Sequence, residues 1–155
     1  MSAMSDYLES GIIDHFLRGQ TLSKPSNLSL ALCSGVPVDA DVGGIAAGGN
    51  AGRIPEITAA EDGGGGYIRK SLGAPGNTVF SIPSGTVTPT TTNVDAIEFA
   101  QATADWGYIS GVAIVDATGW GLGNVLLYGA LTTPRIVTNG DIFRFNAGDI
   151  DISMA

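Results

Sequence analysis

The stretch Leu126–Ala155, LLYGALTTPRIVTNGDIFRFNAGDIDISMA, decides the fold class. It reads as short strands separated by turn residues. Asn139-Gly140 lies between the strand-like runs Arg135–Thr138 and Asp141–Phe145, and Asn-Gly in that setting is the strongest short-range hairpin signal. Asn146–Gly148 then turns the chain into Asp149–Met154. There Ile150, Ile152 and Met154 share one face of a strand, and Asp151 and Ser153 share the other. The chain is expected to end inside a sheet.

Working outward, strand signals precede this stretch at Leu28–Ser34, Tyr67–Leu72, Val79–Ile82, Ala96–Ala100, Tyr108–Asp116 and Asn124–Leu131. Tyr108–Asp116 is apolar on both faces, as a central strand must be. Gly119–Gly123 reads as its hairpin connection to Asn124–Leu131, with Trp120 at the tip. About eight short strands with turn-rich spacers predict a mainly β protein, an antiparallel β-sandwich of jelly-roll-like type. One helix is expected over 5–18, where Leu8, Ile12 and Phe16 form a stripe widened by Ile13 and Leu17. Ser5 or Asp6 can cap its start, Gly19 its end, and Asp14 and Arg18 stand in the favourable acid-first order. Such a helix needs an apolar partner, either its own sheet or a neighbouring subunit.

Residues 35–66 differ from the rest: they are rich in glycine and poor in large apolar side chains. A stretch this long without regular structure is either a surface loop or an arm that becomes ordered against a neighbour. Val36-Pro37-Val38 and Ile54-Pro55-Glu56-Ile57 offer the arm small apolar anchors. On that reading, deleting 36–62 should leave a folded sandwich that no longer binds its partner. A single domain over 1–155 is expected, with 67–155 and the strand 28–34 forming its core.

Charge narrows the classes of function. The net charge is −8, and the seven Lys and Arg residues are scattered, so phosphate-backbone binding is excluded as the leading reading. Charged residues make up only 14% of the chain, against about 25% in ordinary soluble domains. Part of the surface is therefore expected to be covered by other subunits. No apolar run reaches the ~18 residues that span a bilayer, and the early acids of MSAMSDYLESG do not resemble a signal peptide. Neither nucleic acid nor membrane is an expected partner.

No catalytic constellation emerges. His15 is the one histidine, so a His-based triad or a His-rich metal site fails, and it is expected at the edge of the helix stripe. Cys33, the one cysteine, is expected as a small half-buried strand residue opposite Leu28, Leu30 and Leu32. Gly63–Gly66 precedes a strand and lacks the Gly-Lys-Ser/Thr that a phosphate loop carries into a helix. The pairs Asp39/Asp41 and Asp149/Asp151 could hold Ca²⁺ from one face of a strand, but the EF-hand ligand series is absent. No metal, cofactor or catalytic residue is expected. The side chains expected at subunit contacts are Leu8, Ile12, Phe16, Val36, Val38, Ile54, Ile57 and Trp120.

Several blocks together resemble a family of small tailed-phage virion proteins. They are SDYLESGIIDHFLRG (5–19), NLSLALCSGVP (27–37) and GGGGYIRKSLG (63–73), followed by TADWGYISGVAIVDA (103–117) and the section 126–152. Family members are variously labelled head-decoration or tail-fibre-like proteins. The longer 35–66 segment and the Gly119–Gly123 turn depart from the usual pattern. The resemblance implies a non-enzymatic virion protein made in the bacterial host cytoplasm and acting as a homo-oligomer, a trimer by class. As a capsid cement protein it would sit on the capsid surface, bind the phage major capsid protein and stabilise the shell. The alternative is a tail-fibre or receptor-binding component contacting the host, which here would lack heptads or shaft repeats.

Overall fold

The computed structural model describes residues 3–41, 43, 53–57 and 65–153. The glycine-rich expectations at 44–52 and 58–64, and the strand end at Met154, lie outside the described residues. In chain order the elements are β1 (Ala3–Met4), α1 (Asp6–Arg18), β2 (Leu28–Cys33), β3 (Lys70–Gly73), β4 (Thr90–Thr92) and β5 (Ile97–Glu98). β6 (Gly107–Val115), β7 (Val125–Val137), β8 (Arg144–Phe145) and β9 (Asp151–Ser153) complete them. Five strands form an antiparallel sheet in the order β1-β7-β6-β2-β3, while β4 pairs with β9 and β5 with β8. The protein is mainly β with one N-terminal helix.

β6 takes the central position that its two apolar faces predicted. One face of the sheet carries Leu28, Leu30, Leu32 and Ile114, packed against Ile97, Phe99, Phe143, Phe145 and Ile152 from the smaller sheets and their loops. Tyr67, Trp106 and Phe99 meet in edge and stacked contacts there, with ring centroids 5.4 to 6.4 Å apart. Each fully buried large apolar side chain contributes about 1.5–3 kcal/mol relative to exposure, so this layer is the main store of folding energy. The other face is built from small residues, Ala31, Cys33 and Ala113, with Val115 and Val125.

The small residues on that second face have a steric reason. After Cys33 the chain folds back over β6, and a Cβ on Gly111 would stand 2.4 Å from the Gly35 carbonyl oxygen. β2 is accordingly buried on both faces, not the half-exposed strand its alternation suggested, and Cys33 is fully buried.

Ile54 and Ile57 require a correction. Expected at subunit contacts, each is instead 3% exposed and packs in the core of its own chain. The segment 55–57 lies along β2, with Ser34 N donating to Pro55 O at 2.8 Å and Ile57 N to Leu32 O at 3.1 Å. β3 pairs only with Leu28–Leu30, so this limb fills the rest of the strand edge. Backbone groups on an open edge seek partners, and here the nearest supply is the chain's own returning arm.

The Asn139-Gly140 turn is present, with Gly140 at φ 93° and Asp141 N donating to Thr138 O at 3.0 Å. The strand after it, however, does not return along β7. Phe143 drops into the core and β8 pairs with Ile97–Glu98, because burying Phe143 and Phe145 outweighs the few ladder bonds of a local hairpin. Strand expectations at Tyr67–Leu72 and Val79–Ile82 shrink to β3 and to an isolated bridge between Phe80 and Asn93. β1 and β4 had no sequence signal.

Candidate functional site

Three features could carry function: a buried polar hub, the outer face of α1, and a groove beside β7. The hub is built from Tyr67-x-Arg69. The Arg69 guanidinium makes a two-pronged ion pair with Glu56, Nε to Oε1 at 2.8 Å and Nη2 to Oε2 at 2.7 Å, and both side chains are wholly buried. Its remaining donors reach carbonyl oxygens of Gly43 at 2.8 Å, Leu122 at 2.8 Å and Ala117 at 3.2 Å. Tyr67 Oη donates to Glu56 Oε1 at 3.0 Å and accepts from Leu32 N at 2.9 Å. All five guanidinium N–H groups are thus engaged, as a buried arginine requires. Burial, with Glu56 next, pushes the Tyr67 phenol well above its ordinary range. The same two causes push the Cys33 thiol up, which leaves it inert as a nucleophile.

The hub ties the returning arm and the 117–123 turn to the sheet. In that turn the Asp116 carboxylate accepts from Asn124 N at 2.6 Å and Nδ2 at 2.8 Å, and Gly123 takes φ +79°. Trp120 is not a free loop tip. It is half-buried, with the Arg53 guanidinium carbon 3.4 Å from its ring centroid. The sequence signal for the hub was present in the Tyr-x-Arg pattern, but its acidic partner lies 13 residues upstream in the stretch read as an arm.

The α1 helix starts where expected. Ser5 Oγ accepts from Leu8 N at 3.3 Å and donates to Val125 O at 2.5 Å. Asp6 N donates to Asp39 O at 3.0 Å, and Tyr128 Oη donates to the Asp39 carboxylate. Gly19, at φ 69°, closes the helix, and Asp14 pairs with Arg18 at 2.8 Å. Leu22 packs against Gly11, where a Cβ would meet its Cδ1 at 2.8 Å. Leu8 and Ile12 are half-buried, but Ile13, Phe16 and Leu17 are 53%, 76% and 79% exposed. His15, itself exposed, sits edge-on to Phe16 with ring centroids 5.0 Å apart. Val36 and Val38, in the loop beside the helix start, are also exposed. The helix therefore uses its own sheet for half of its stripe and leaves the other half uncovered.

The groove lies where β7 leaves β6. Between the pairs Ile109↔Arg135 and Gly111↔Ala130, Leu131–Pro134 oppose Ser110 alone. This is a bulge that tolerates Pro134, which has no N–H to give. Beneath it opens a groove of about 390 Å³ with a floor that includes Leu30, Val112, Ile114 and Leu127. Its rim holds Arg135, Arg144, Asp149 and Asp151. No expectation from the sequence pointed to this feature, because the bulge that makes it depends on pairing between distant strands.

Among the described residues, no three His, Cys, Asp or Glu side chains gather as a metal site would require. Asp41 is spent on Val38 N at 2.9 Å, and Asp149 on Asn146 N at 2.7 Å. Asp149 and Asp151 do not share a strand, since β9 begins at Asp151. Among the described residues, no helix is long and apolar enough to cross a membrane.

No curated protein matches the chain. The model of one family, described as podophage GP4 fiber I protein gp80, matches residues 3–153, nearly the whole length. The chain belongs to that family of phage virion structural proteins.

Proposed function

We propose that the protein is a fibre subunit of a podophage virion, present as a homo-oligomer and acting by binding without catalysis. The observation that carries this reading is the uncovered face of α1. Ile13, Phe16 and Leu17 stand in solvent on a helix whose start is clamped to β7 and to the 36–41 loop. Monomers seldom leave such a face open, and exposed apolar patches mark assembly surfaces. The family's printed description as a fibre protein supports the tail position.

A second reading, a cement protein on the head shell bound to the major capsid protein, draws on Val36 and Val38, exposed beside the helix start. A cryo-EM map of the parent virion separates the two. A small number of copies at the tail is the expected result. Hundreds of copies over the icosahedral shell would overturn the fibre reading and establish cement.

A further inference from the structure

We infer that the outer face of α1 of one copy seats in the β7 groove of a second copy of this chain. The inference rests on the homo-oligomer reading above and specifies its contact. On α1 the Ile13, Phe16 and Leu17 side chains form a convex apolar knob, and the groove under Leu131–Pro134 offers a concave surface with an apolar floor. A second hollow, lined by Tyr7, Leu8 and Leu22, abuts α1 of its own chain. No residue of α1 lines the groove of its own chain, so the two surfaces are separate sites. The groove, at about 390 Å³, is in the size range of built recognition sites (roughly 300–1,000 Å³) and can take Phe16 with a neighbouring side chain.

Charge selects the same partner. Glu9 shares the face of Ile13 and Phe16, at the i+4 and i+7 spacings. The groove rim offers Arg135 and Arg144. Arg144 is loosely held, 3.8 Å from Glu98 with both side chains 53% exposed. Arg18, at the far end of the helix and held in its own chain by an exposed pair with Asp14, can meet Asp151 on the same rim. On a chain of net charge −8, two copies repel each other over most of their surface. This rim, with two arginines and two aspartates, is locally balanced, so an acidic helix can approach it. The contact is heterologous: one surface of each copy meets a different surface of the next, which yields a closed ring when the rotation permits.

The test uses the full chain with single cysteines at exposed positions. Cys33 is buried and does not compete. Leu17→Cys and Thr133→Cys proteins are prepared separately, mixed and oxidised, and the wild-type assembly is sized by light scattering. The expected result is a mixed disulfide between the two variants, with little L17C homodimer. Phe16→Ser, exposed in the single chain, should weaken association by roughly ten- to a hundredfold without lowering the melting temperature of the monomer. An oligomer with no mixed disulfide, or with L17C homodimer dominant, would overturn the helix-in-groove contact while leaving the oligomer reading intact. A wild-type monomer at high concentration would sink both.

Discussion

At the scale of single residues, the Glu56–Arg69 pair dominates. Two wholly buried charges cost a great deal to desolvate, and they are held here because every guanidinium donor finds an acceptor. Removing one partner strands the other. Arg69→Ala should therefore cost about 3–5 kcal/mol, read by urea denaturation. A double variant with apolar residues at both 56 and 69 should lose less than the sum of the two single changes. Tyr67 and Cys33 supply a pH signature. Both groups are held neutral in the fold, with pKa values raised above 10.0 and 9.0 by burial and by Glu56. Above those values the unfolded chain binds fewer protons than the folded one, so stability is fully present below 9.0 and falls as pH rises through the alkaline range. Tyr67→Phe, though less stable at neutral pH, should show a shallower alkaline loss. An equal slope in the two proteins would remove Tyr67 as the cause.

At the scale of elements, α1 is stable because its first turn is anchored, not because its stripe is buried. No residue within it is fully buried, and an isolated helix of 13 residues is marginal in water. Ser5 does double duty as helix cap and as hydroxyl donor to Val125 O. Ser5→Ala should cost about 2 kcal/mol and fray the helix before the sheet, seen as early amide exchange over 6–12. The same anchoring explains why the outer face stays presented. A helix pinned at one end by β7 and the 36–41 loop cannot roll to bury Phe16 and Leu17 without releasing its cap.

At the scale of the whole molecule, the 53–57 limb of the arm is part of the fold. The truncation expected from the sequence to leave the sandwich folded but unable to bind, removal of 36–62, would take away Glu56, Ile54 and Ile57 together. It would leave Arg69 as an unpaired buried charge and open the edge of β2 at Leu32–Ser34. That variant should lack a cooperative unfolding transition. If it melts cooperatively like the full chain, the limb at 53–57 is dispensable and the hub is not the fold's anchor. Whatever the arm contributes to partners must therefore be tested by point changes at Val36 and Val38, which are exposed and leave the hub whole.

The residues by themselves determined everything governed by local periodicity and local capping. The amphipathic pattern placed α1 with Ser5 and Gly19 at its ends, and the double-sided apolar run made β6 central. The Asn139-Gly140 turn was equally legible, as was the virion family in the blocks that run from helix to closing strands. What the tertiary structure decided was every choice between partners far apart in sequence. Glu56 reads as one acid in a glycine-rich stretch until it meets Arg69. Ile54 and Ile57 read as anchors for a neighbour until the unfilled edge of β2 claims them, and β8 leaves its hairpin because Phe143 and Phe145 gain more from the aromatic layer. The physical reason is the same in each case. Periodicity records which side of an element is apolar, whereas burial and hydrogen-bond satisfaction are settled only when the strand edges and the unpaired charges are brought together in space.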